Sequence, residues 1–165
     1  VSDPYLWMSL EALAEKQFSS ELNKARECSL GSSLLLLYHP KIRISIYELS
    51  RKTSSEENIE FWVVAKMFHS RWCNVNISSA FAVEEMKKDA MWIIDMFIRD
   101  DAEKQIALKA NYKNNILDSI SDTADRGSLT SELFEPSLQS VEEILKQKLQ
   151  IFLRENESST LLKFF

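Results

Sequence analysis

Apolar residues recur at helical spacing along most of the chain, and short polar stretches separate one apolar stripe from the next. Leu6, Leu10 and Leu13 share one face after Asp3-Pro4, a capping residue followed by a proline suited to a first helical turn. Phe18 and Leu22 extend that face, which predicts a first helix over residues 4–26. Gly31-Ser32-Ser33 restarts the chain before a short apolar helix at 34–38, which ends at His39-Pro40. Pro40 opens the next helix, with Ile42, Ile46 and Leu49 as its buried stripe and Lys41, Arg43, Arg51 and Lys52 on its wet sides.

Ser54 and Glu57 have the spacing of a capping box. After them Ile59, Trp62, Val63 and Met67 line one face, with Phe61, Ala65 and Phe68 beside it, so this helix is apolar over most of its circumference and belongs in the core. A loop is expected at 71–79. A long helix then carries Met86, Ala90, Ile93, Ile94, Phe97 and Ile98 and stops at Asp100-Asp101. Ile106 and Leu108 fall in a short connector, and Tyr112, Ile116 and Ile120 predict a further helix. Residues 121–131 read as an exposed polar loop. Pro136 precedes a last long helix with Val141, Leu145, Leu149, Phe152 and Leu153 inside. Residues 156–160 break it, and Leu161, Leu162, Phe164 and Phe165 pack back on the core. The expected fold class is all-α, with eight or nine helices.

Composition agrees with that picture. Two glycines and three prolines among 165 residues are too few for a set of tight hairpin turns. With 45% apolar and 27% charged residues the chain reads as one ordinary globular domain rather than a disordered one. A net charge of −5 weighs against nucleic acid as a partner. Apolar runs such as residues 34–38 are far too short to span a membrane. Cys28 and Cys73 are too few for a disulfide framework, and with only His39 and His69 beside them a zinc site is not expected. The chain opens on Val1 without a signal sequence and reads as an excised part of a larger protein.

A search for enzyme chemistry finds no glycine-rich phosphate loop, no HExxH and no GxSxG. Asp100-Asp101 lacks further ligands at helical spacing, and the remaining carboxylates fall on solvated faces. The chain is therefore expected to be no enzyme in its own right and to use no cofactor or metal.

The string Ser55-Glu56-Glu57-Asn58-Ile59-Glu60-Phe61-Trp62 stands apart. It resembles the SxENxxFW signature at the entry to the fourth helix of regulator-of-G-protein-signalling (RGS) domains. Residues 34–38 with His39-Pro40, the 90–98 stretch, Phe134-Glu135-Pro136 and Leu161-Leu162-Lys163 are similar to further parts of that family, in the same order. The resemblance covers residues 30–165, leaving 1–29 as a helical extension or a part of the terminal subdomain.

This resemblance implies an antiparallel four-helix bundle plus a subdomain of terminal helices. It implies binding to the α subunit of a heterotrimeric G protein (Gα) in its GTP-bound or transition state, through loops at 53–58, 100–110 and 155–160. Carried over by position, the Gα-binding residues are Glu57, Asn58, Ala107, Leu108, Asn156 and Thr160. Gα already carries its own arginine and water-positioning glutamine, so a partner that holds the switch segments in transition-state geometry is enough to accelerate GTP hydrolysis. The chain also departs from the family pattern. Ala107 stands where the family often has an Asn, Asn156 where it has an Asp, and Thr160 where it has an Arg. Those departures favour the alternative of an RGS-like effector or scaffold module with little acceleration, inside a larger protein such as a Rho guanine-nucleotide exchange factor. Either role implies a cytoplasmic location, with recruitment to the inner face of the plasma membrane.

Overall fold

In a computed structural model the structure describes residues 13, 14, 18, 33–75, 79–121 and 129–155. Every regular element among them is helical. A 3-10 helix at Ser33–Tyr38 leads into α1 (Pro40–Arg51), and α2 (Glu57–Trp72), α3 (Ala80–Ile93), α4 (Ala110–Ser119) and α5 (Glu135–Glu155) follow. The expected 4–26 helix lies almost wholly outside the described residues, as do 122–128 and everything after 155.

The starts of these helices follow from their sequence. His39 takes an extended backbone and its Nδ1 accepts from Lys41 N at 3.2 Å, while Pro40 fills the first helical position without wasting a donor. Ser79 caps α3 through a hydroxyl that accepts from Ala82 N at 3.1 Å. The C-terminal end of α3 widens into a π-helical stretch at Ile94–Ile98, closed by Arg99 N donating to Ile94 O at 3.0 Å. Such a widening rotates the residues after it, and here Ile94, Phe97 and Ile98 all end up buried.

The chain forms two compact units, one of residues 1–60 with 141–165 and one of residues 61–140, and the division falls inside α2 and inside α5. In the first, Leu37, Ile42, Ile46 and Tyr47 are buried, as are Val141, Leu145 and Leu149 of α5. In the second, aromatic rings form the centre. Phe61 meets Phe97 at 5.7 Å and Phe134 at 6.1 Å between centroids, and Phe68 meets Phe134 at 5.1 Å, the last two edge-on. Edge-on pairs of this kind add about 0.5–1.5 kcal/mol beyond the area they bury.

Four expectations need correction. Arg43 is not on a wet side: it has no exposed surface, its Nη1 donates to Leu37 O at 2.9 Å, and its guanidinium stands 5.3 Å from the Phe18 ring centre. Leu13 is 49% exposed, and its neighbour Ala14 is the buried residue. The 71–79 segment starts helical, since α2 runs to Trp72, with Arg71 Nη1 and Trp72 Nε1 both donating to Asp89 Oδ2 at 2.6 and 2.9 Å. Leu129, in the expected exposed loop, is buried. No helix among the described residues is long and apolar enough to cross a membrane.

Candidate functional site

The turn between α1 and α2 is built around one carbonyl. A helix end leaves its last carbonyls without partners, and here Ser50 O is supplied from the residues that follow. Thr53 N and Thr53 Oγ1 donate to it at 3.1 Å each, Ser55 N at 3.0 Å and Ser55 Oγ at 3.3 Å. Small hydroxyl residues suit this work because their side chains reach back to the nearby backbone. Ser54 takes the left-handed backbone common just past a helix end, with φ 52°. A residue with a Cβ pays about 1–2 kcal/mol for that conformation. The turn is held from α5 as well, where Lys148 Nζ donates to Thr53 Oγ1 at 2.8 Å. Residues 51–54 are exposed.

Because Glu57 is the first residue of α2, Ser54 is not its cap, and the expected capping box gives way to a different arrangement. The backbone carbonyl of Ser55 accepts from Asn58 N at 3.3 Å and from Asn58 Nδ2 at 3.4 Å. Glu57 lies in the first turn, where a carboxylate is favoured by the unpaired N–H groups, and is half-buried. Asn58 is only 7% exposed, so the amide faces outward much less than the sequence implies. Its bond to Ser55 O is at the long end of the hydrogen-bond range. Ile59, Phe61 and Trp62, the apolar half of the signature, are buried.

The connector between the π-helical stretch and α4 belongs to the second unit. It doubles back on the helix it leaves: Lys104 N donates to Met96 O at 3.0 Å and Ile106 N to Phe97 O at 2.9 Å. Ile106 is buried and anchors the segment, which leaves Ala107 exposed and Leu108 half-buried. Asp100 pairs with Lys113 of α4. Among the described residues no group of three His, Cys, Asp or Glu side chains is placed to hold a metal, and Asp100-Asp101 remains an exposed pair.

Glu57 and Asn58 are thus adjacent in the first unit, and Ala107 and Leu108 in the second. Asn156 and Thr160 lie outside the described residues. The resemblance put Thr53 at the start of an implied Gα-binding loop without revealing its work in the turn, and Lys148 was passed over. The hydroxyl cluster Thr53-Ser54-Ser55 after a helix end was a usable signal for the turn, but nothing in a linear pattern links it to a lysine 95 positions away.

A family model described as Regulator of G protein signaling domain matches residues 36–156, more than half of the chain. The match includes the α1–α2 turn, the connector and Asn156, and stops before Thr160. No curated protein matches the chain.

Proposed function

From the premise that this chain belongs to the regulator-of-G-protein-signalling family, whose members bind Gα, we propose that it binds the GTP-bound or transition-state form of a Gα subunit and accelerates its GTP hydrolysis. The observation that carries this reading is the family signature, which starts directly after the exposed turn of residues 51–54, with the half-buried Glu57 and the buried Asn58 at its helical edge. Asn58 exchanges its long bond to Ser55 O for a backbone group of a Gα switch segment, a low-cost trade because that bond is already weak. Ala107 and Leu108 supply van der Waals contact to Gα from the exposed connector, and the family resemblance also assigns Asn156 and Thr160 to Gα binding. The hydrolytic chemistry stays on Gα. Holding its switches is worth about 3 kcal/mol, or roughly a hundredfold in rate.

A second reading rests on Ala107. Its exposed methyl cannot make the hydrogen bond that the family resemblance puts at that position. On this reading the domain binds active Gα as an effector or scaffold module, within a larger signalling protein such as a Rho guanine-nucleotide exchange factor, and leaves hydrolysis nearly unchanged.

Single-turnover GTP hydrolysis by purified Gα, with and without this domain, decides between the two. Acceleration near a hundredfold supports the first, and binding to the aluminium-fluoride state without acceleration supports the second. No binding to Gα in either nucleotide state defeats both. Asn58→Ala is expected to weaken binding about tenfold, the equivalent of one lost hydrogen bond at the upper end of its usual worth.

A further inference from the structure

We propose that Ser54 is a phosphorylation site for a basic-directed protein kinase. Arg51 and Lys52 stand three and two positions before it, the spacing at which paired cations fit an acidic substrate groove. All four residues from Arg51 to Ser54 are exposed. Arg51 is the last residue of α1; its ion pair with Glu48 is long at 3.8 Å and made between two exposed side chains, and its guanidinium stands 5.9 Å from the Tyr47 ring centre, contacts weak enough to yield to a stronger partner. Ser54 itself sits at φ 52°, a conformation that costs a non-glycine residue about 1–2 kcal/mol, and relief of that cost offsets part of the hydrogen bonding broken when a kinase extends the turn.

The transfer is ordinary phosphoryl chemistry. Ser54 Oγ attacks the γ-phosphorus of a nucleoside triphosphate held by the kinase. A new O–P bond forms, the bond from that phosphorus to the bridging oxygen breaks, the diphosphate leaves, and the hydroxyl proton passes to the kinase's base.

The environment also gives the phosphate a consequence. It adds about −1.5 to −2 charge. On one side is Lys148, whose ammonium already donates to the neighbouring Thr53 Oγ1 at 2.8 Å. On the other are Glu56 and Glu57, two and three positions on, which repel it. The turn is drawn toward α5 and away from the edge that carries Glu57 and Asn58. Phosphorylation therefore weakens Gα binding, a consequence that rests on the function proposed above, whereas the modification site does not.

The test incubates the whole chain with ATP and a kinase of the cyclic-AMP-dependent type, and maps the phosphoryl group by peptide mass spectrometry. The expected result is modification of Ser54, lost in Ser54→Ala. The Arg51→Gln, Lys52→Gln double variant keeps the acceptor and slows the transfer at least about tenfold. Circular dichroism of each variant shows whether it is folded. No incorporation, incorporation at Thr53 or Ser55 instead, or an undiminished rate in the folded double variant overturns the assignment. Gα binding is then compared before and after modification, with a loss of at least about fivefold expected. Equal affinity overturns the regulatory consequence. Absence of Gα binding by the unmodified chain defeats the proposed function and that consequence together, and the mapped site at Ser54 is judged on the kinase result alone.

Discussion

Arg43 is a cation with no exposed surface, and its burial is offset by what surrounds it. One guanidinium nitrogen donates to Leu37 O at 2.9 Å, and the Phe18 ring lies within cation–π range. The carbonyl it satisfies belongs to the short 3-10 helix, so the side chain ties that helix to α1. Arg43→Met keeps most of the volume and removes the donor, leaving Leu37 O buried without this partner. A loss of about 1–3 kcal/mol is expected in urea denaturation. A midpoint equal to that of the parent chain sinks this account. The burial was illegible in the sequence because Arg43 falls beside Ile42 and Ile46 on a pattern that assigns charges to solvent, and the partner that reverses the assignment is a backbone atom, which has no letter of its own. Asn58 went astray for a related reason. Its spacing in the signature was visible, but its turn back onto Ser55 O depends on where α2 begins. Asn58→Ala is accordingly expected to lower stability by about 0.5 kcal/mol, the low end for one hydrogen bond, besides weakening partner binding, and chemical denaturation measures the first effect without any Gα present.

Single helices were much easier to read than their junctions. Pro40 with the Ile42/Ile46 stripe, and the nearly all-apolar 59–68 stretch, appear in the structure as α1 and α2 because one proline start or one wide apolar face leaves few alternatives. The π-helical stretch after α3 was not readable, since the apolar spacing of Ile94, Phe97 and Ile98 fits a regular helix as well as a widened one. In the connector after it the apolar anchor is Ile106, whose side chain is buried and whose N–H donates to Phe97 O. Ile106→Ala is expected to cost about 2–5 kcal/mol. The N–H groups of Lys104 and Ile106 then exchange with solvent at least about tenfold faster, which amide hydrogen exchange reports residue by residue. Unchanged protection at both positions means that the backbone bonds alone hold the connector.

At the scale of the whole molecule, the family was legible because eight consecutive residues carry a cap region, an acidic-Asn pair and an aromatic pair in fixed order, and the aromatic half is core. The half proposed to meet a partner was legible only by position, since exposure is decided by elements far away in the chain. Ala107 is where this difference becomes measurable. It is exposed at the crest of the connector and lends a partner a methyl group and nothing that donates or accepts. If the domain acts by steadying Gα, an amide at that point adds one hydrogen bond to the transition state, worth about 0.5–1.5 kcal/mol. Ala107→Asn is therefore expected to raise the single-turnover rate of Gα about two- to tenfold, with little change in the domain's own stability because the site is solvent-facing. A rate that stays at the parent value while binding persists shows that position 107 does not meet the water-positioning machinery, and it moves the domain toward the effector reading, in which Gα is held and its clock left alone.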